Sequence, residues 1–213
     1  MAYQSPYAKK GQSREGDFAE NLYRKVLNYY RVGFNETSIE EDCGGVDFRR
    51  LNGEEDDTKA RKSAGPHRTW LEVCASFQGP IGSGWTYKEG KWVAHLMIYE
   101  EDGWITDIIF GRHLSTDAVE NIIEKKCDLT QLTRTANELY KLYHRWSRNY
   151  KTGDMEHRGA TVCVTYPDLE GLPTFQRIPV PREMWPEVMD EYNKLAMIAA
   201  KGRKIDPPYK GIK

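Results

Sequence analysis

Three apolar runs of strand length, at 69–75, 92–99 and 104–110, follow one helical pattern and precede three more. That order restricts the fold more than any other feature. Strands gathered together, with too few helices between them to form βαβ units, do not wind into a doubly wound parallel sheet. The expectation is α/β, or α+β, with a central mixed β-sheet flanked by helices.

The first helix is predicted from Asp17, an acid suited to a first turn. Phe18, Leu22, Val26 and Tyr30 form its apolar stripe, Ala19, Tyr23 and Leu27 widen it, and Gly33 ends it. An edge strand is predicted at 34–40. Gly44-Gly45 then turns the chain into a strand at 46–51, and Asp102-Gly103 predicts a tight hairpin between 92–99 and 104–110. Helices are predicted at 116–126, 129–149 and 182–201, with a last strand at 160–166. Residues 1–16 read as a flexible arm and 202–213 as a tail. Between them lies one domain, 17–201, with its core at 17–110 and a helical extension over 111–201.

Composition removes several classes of function. Lys+Arg number 31 and Asp+Glu 32 in 213 residues, a formal charge of −1. A histone-like basic protein, a polyacidic nucleic-acid mimic and a charge-driven disordered chain are excluded on that balance. No apolar stretch approaches the ~20 residues a membrane-spanning helix needs, and the first residues lack an apolar signal-peptide segment. A soluble, cytoplasmic protein with no membrane partner is expected. Cys43, Cys74, Cys127 and Cys163 form no CxxC pair and are read as free thiols. Phosphate-binding P-loop, dinucleotide, zinc-protease and serine-hydrolase motifs are absent. The charged stretch 52–68 has no large apolar side chain and reads as a solvated hairpin extension or, alternatively, a binding arm.

Two acids stand out because apolar residues enclose them. Asp47 lies between Val46 and Phe48, and Glu72 lies in Trp70-Leu71-Glu72-Val73-Cys74. Either they face solvent on one side of a half-exposed sheet, or they meet and share a cation, because burying unpaired carboxylates costs several kcal/mol. Mg2+ or Mn2+ is the kind of ion such oxygen donors suit. For nucleic-acid contact the segment 129–149 is the most basic, with Arg134, Lys141, Arg145 and Arg148 on the outward side of its predicted helix. The final helix, with Met184, Met189 and Met197, is a packing face or a homodimer surface.

Taken in order, the helix around Glu20, the Gly45-Val46-Asp47-Phe48 turn, Leu71-Glu72-Val73 and Gly84-Trp85 before an apolar strand resemble the PD-(D/E)XK nuclease superfamily. The likeness is to its phage and Holliday-junction-resolvase-like branches and spans about residues 14–110. It implies a restriction-endonuclease-like core, a phage or mobile-element origin, and Mg2+-dependent hydrolysis of DNA. Asp47, Glu72 and the Val73 carbonyl would be the metal ligands, with Glu20 assisting. Two positions depart from the family pattern. Val46 stands where the family name has proline, and Cys74 stands where the lysine two residues after the acid belongs. A thiol cannot supply the lysine's charge, so either another cation replaces it, with Lys88, Lys91 and Arg68 as candidates, or hydrolysis is weakened. The alternative is a non-catalytic DNA- or protein-binding module on a degenerate nuclease fold.

Overall fold

The computed structural model describes residues 12–37, 46–60, 67–74, 82, 84–127, 142–148 and 155–213. Helix α1 spans Gln12–Tyr29 and buries Ala19, Leu22, Tyr23, Val26 and Leu27, the predicted stripe. Strands β1 (Phe34–Glu36) and β2 (Phe48–Arg50) pair antiparallel. A turn through Gly53, at φ 91, folds β3 (Glu55–Lys59) back onto β2. Strand β4 (Arg68–Cys74) leaves this sheet altogether. The long strands β5 (Lys91–Glu101) and β6 (Trp104–Leu114) form the predicted hairpin. Asp102 and Gly103 take φ of 51° and 81°, the left-handed pair a two-residue hairpin turn requires.

A helical segment α2, residues 115–126, follows as Ser115–Ala118, a π-helical stretch Val119–Ile123, and Glu124–Lys126. Next come β7 (Leu142–Arg148), β8 (Met155–Thr165), α3 (Tyr166–Glu170), β9 (Gln176–Pro179), α4 (Trp185–Ala199) and β10 (Gly211–Ile212). The larger sheet runs β1-β2-β3-β5-β6-β10, with β9 also paired to β6; the smaller runs β4-β8-β7. Because β3 and β5 are parallel while their outer neighbours are antiparallel, the larger sheet is mixed, as expected.

Alternation along the strands separates the cores. Ala94, Leu96, Ile98, Ile108 and Phe110 join α1 and α4 on one face of the larger sheet. Met97 and Ile109 point the other way, against Tyr166. The smaller sheet has its own core, where Leu71, Val73, Val162 and Val164 pack with Ile122 and Ile123 of α2.

Three expectations need correction. Residues 142–148 are strand and not helix, paired with β8, while 128–141 lie outside the described residues. Tyr143 and Trp146 favour strand, and the pairing partner β8 was only half visible in the sequence. The C-terminal part accordingly carries four strands beside its helices. The charged stretch 52–68 is also not simply a solvated extension: Glu55–Lys59 forms an interior strand with Asp56, Asp57 and Thr58 buried. Lastly, Asp47 immediately precedes β2 of the larger sheet, whereas Glu72 lies on β4 of the smaller one, so the two acids are not on neighbouring strands.

Candidate active site

Strand β3 carries charge on both faces. Asp56 points towards α1, where its carboxylate accepts hydrogen bonds from Tyr23 Oη (2.9 Å), Arg50 Nε (2.7 Å) and Arg112 Nε (2.8 Å). Arg112 also reaches Glu54 (2.7 Å) and Gln176 (2.9 Å) and lies 3.8 Å over the Trp92 ring. Donors gathered from α1, β2 and β6 thus satisfy a carboxylate that is wholly buried. Asp57 and Lys59, one position out of phase, project from the opposite face.

Asp47 joins them through the backbone. Its N–H donates to the Asp56 carbonyl (2.9 Å), and its Oδ2 accepts from the Thr58 N–H (2.5 Å). The Asp47 carboxylate is therefore fastened to the Asp57–Thr58 peptide, next to Lys59. Thr37 holds the same turn, its hydroxyl donating to the carbonyls of Val46 (2.6 Å) and Asp47 (3.1 Å). The Lys59 ammonium is 2.5 Å from Asp57 Oδ1 and 5.2 Å from the centroid of the Trp85 ring.

The electrostatics follow from this crowding. Burial, then the charges of Asp57 and Glu20, pushes Asp47 up to about 8, against the opposing pull of Lys59 and the Thr58 N–H. For Lys59, burial favours the neutral amine, but Asp57, Asp47 and Glu72 outweigh it and raise its pKa. Behind the site, His95 and His113 are fully buried and stacked, with centroids 5.3 Å apart and planes at 10°. Burial pushes His113 down to about 4 and His95 well below its ordinary value, so both are neutral.

The structure gathers some of the predicted residues and separates others. Glu20 lies near enough to Asp47 for its charge to raise the Asp47 pKa. Glu72 approaches from β4 and acts on Lys59. The Val73 carbonyl is not free to ligate a metal in the expected way, since it accepts the N–H groups of Gly82 (2.9 Å) and Gly84 (3.3 Å). Lys88 follows the short 3-10 turn Trp85–Tyr87, and its carbonyl accepts the Ser115 hydroxyl. Arg134 and Lys141 lie outside the described residues. Arg145 and Arg148 sit on β7 rather than on a helix. Cys127 and Cys163 form no disulfide, Cys43 lies outside the described residues, and so does the side chain of Cys74.

Sequence reasoning missed Asp57 and Lys59. Their signal was present, because Asp57-Thr58-Lys59 is an acid-X-lysine triplet shortly after Asp47. It was hidden inside a charge run that resembled solvated surface.

Among the described residues no group of three or more His, Cys, Asp and Glu side chains has the disposition of a metal site. No helix among them is long and apolar enough to cross a membrane. Comparison with family models, curated proteins and solved structures finds no match.

The Asp47 shift makes a testable statement about stability. An unfolded Asp releases its proton near 3.9, whereas the folded chain keeps it until about 8. The protonated side chain therefore contributes stability that is complete below about pH 4 and is lost as pH rises through about 8. In metal-free protein the urea midpoint is expected to fall between pH 5 and 8 through this group. Asp47→Asn should flatten that decline when midpoints are measured across the interval.

Proposed function

We propose that the chain is a divalent-metal-dependent deoxyribonuclease. In this reading Asp47 and Asp57, in place of Asp47 and Glu72, hold Mg2+ or Mn2+, and Lys59 is the cation beside the scissile phosphate. The observation that carries it is the Asp47 carboxylate bonded to the Thr58 N–H, in the middle of Asp57-Thr58-Lys59. That arrangement restores the acid-X-lysine pattern that Cys74 had interrupted. It also removes the main reason for a degenerate, non-catalytic module.

The donor set fits a hard cation. Two crowded carboxylates, one with its pKa pushed up to about 8, gain from a divalent ion that favours both ionised forms. Mg2+ commonly uses one or two carboxylates and completes its shell with water and substrate phosphate, so a pair is sufficient. When bound, such an ion supplies Lewis-acid polarisation of a phosphate oxygen and an acidified water. Lys59, tethered by Asp57, orients the attacking water and offsets charge developing on the phosphate. Glu20 adds negative potential at Asp47, and Glu72 helps to keep Lys59 protonated.

DNA as the substrate rests on the superfamily resemblance. A second support is local. Burial and the charges of Lys88 and Lys59 lower the pKa of Lys91, which marks a cluster of cations beside the acids. Such a cluster suits a polyanion.

The test is cleavage of supercoiled, branched and single-stranded DNA with Mg2+ or Mn2+. Wild type is expected to cut at least one of these, chelation to stop it, and Asp57→Asn to abolish it. Full activity in Asp57→Asn, or DNA retained on a gel without cutting by wild type, overturns the reading.

A further inference from the structure

We propose that Trp85 is a positioning residue that holds the Lys59 ammonium over its indole face. The inference rests on the reading of Lys59 as the cation that meets the phosphate.

Lys59 has a mobile four-carbon stem and three N–H donors, and the carboxylates of Asp57, Asp47 and Glu72 all act on it. A flexible cation among three acids has several orientations of similar energy. Its direct bond to Asp57 fixes one donor. The Trp85 ring, with its centroid 5.2 Å from Nζ, supplies a second contact that is not a carboxylate. An aromatic face attracts a cation without taking a hydrogen-bond donor, so the remaining N–H groups stay available to water or phosphate.

The indole is itself well held. Gly84, just before it, sits against β4 so closely that a Cβ there would fall on the Glu72 carbonyl oxygen and lie 2.8 Å from the Val73 carbonyl carbon. The Gly84 carbonyl accepts the Tyr87 N–H (3.1 Å), and the Trp85 carbonyl accepts the Lys88 N–H (3.2 Å), closing the short turn. The indole also meets the His95 ring, centroid to centroid at 5.8 Å. His95 is stacked on His113 and contacts Thr69 Oγ1 at 3.3 Å, which ties the larger sheet to β4. Because both imidazoles are neutral, His95 packs against the indole, and His113 against His95, without placing a charge opposite Lys59. A histidine pair and a Gly-Trp step with no evident role thus become the mounting of one ammonium group.

The test uses the full chain labelled with 13C at the lysine ε carbons, with the Lys59 signal identified by its loss in Lys59→Arg. A proton over an aromatic face is shifted upfield, so the Lys59 ε-protons should stand upfield of the other lysines. Trp85→Phe should keep much of that shift and Trp85→Leu should lose it. In parallel, Trp85→Leu should lower kcat for DNA cleavage about tenfold with KM little changed, and Trp85→Phe should recover most of the rate. A wild-type Lys59 signal within the ordinary lysine envelope overturns the proposal. So does a signal still upfield in Trp85→Leu, or an undiminished kcat in that variant. If Trp85→Leu does not fold, the wild-type and Trp85→Phe spectra decide. Absence of cleavage by wild type defeats the nuclease reading alone, because the Lys59 resonance still reports whether the indole holds the ammonium.

Discussion

Lys59→Met is expected to reduce metal-dependent cleavage by on the order of 10²–10³-fold, the usual effect of removing one group that stabilises transition-state charge. The substitution keeps length and apolar bulk and deletes the ammonium. The loss should therefore fall on kcat, and DNA retention measured by gel shift should change little. The same assay separates this site from the one centred on β4. If Glu72 and Cys74 held the acid and lysine positions, Cys74→Lys would raise activity and Lys59→Met would leave it unchanged. The Asp47 carboxylate, bonded to the Thr58 N–H between Asp57 and Lys59, argues for the opposite pattern. Glu72→Gln should have an intermediate effect, since Glu72 acts on Lys59 through its charge.

Asp56→Ala should be the most destabilising single substitution near the site, lowering stability by about 3–5 kcal/mol in urea unfolding. Asp56 is wholly buried and Arg112 almost so, with 1% of its side chain exposed. Removing the carboxylate takes the shared acceptor from Arg112, Arg50 and Tyr23 together. Arg112 would keep Glu54 and Gln176, yet it would remain a buried cation without its most enclosed partner. Asp56→Asn, which retains one acceptor oxygen, should lose clearly less. Equal losses in the two variants would mean that the carboxylate's charge, and not its volume or a single acceptor oxygen, holds this cluster.

How much of this was legible follows from which forces the sequence displays. Apolar periodicity revealed α1, β5, β6 and α4, and Asp102-Gly103 revealed the hairpin, because local pattern and turn chemistry specify those elements. Strand β3 was not legible. Its residues are all polar or charged, and they enter the sheet because Arg50, Arg112 and Tyr23 arrive from elsewhere in the chain. A one-dimensional reading cannot show compensation that arises only on folding. The same blindness moved the candidate site: Glu72 looked buried because its neighbours are apolar, and Asp57 looked exposed because its neighbours are charged. Asp47 and Glu20 stay at the candidate site in both readings, because a turn and a helix mark their positions locally.

Strand β3 lies between β2 and β5, with Asp56 on one side and Asp57 and Lys59 on the other. A displacement of the strand by a single residue would exchange those sides, sending Asp57 and Lys59 towards α1 and Asp56 to the opposite face. An insertion or deletion near Gly53 that shifts the register of β3 should therefore cost the fold together with the candidate site. Inactive relatives of this chain, where they arise, should differ at 57 or 59 by replacement and keep the spacing around them intact.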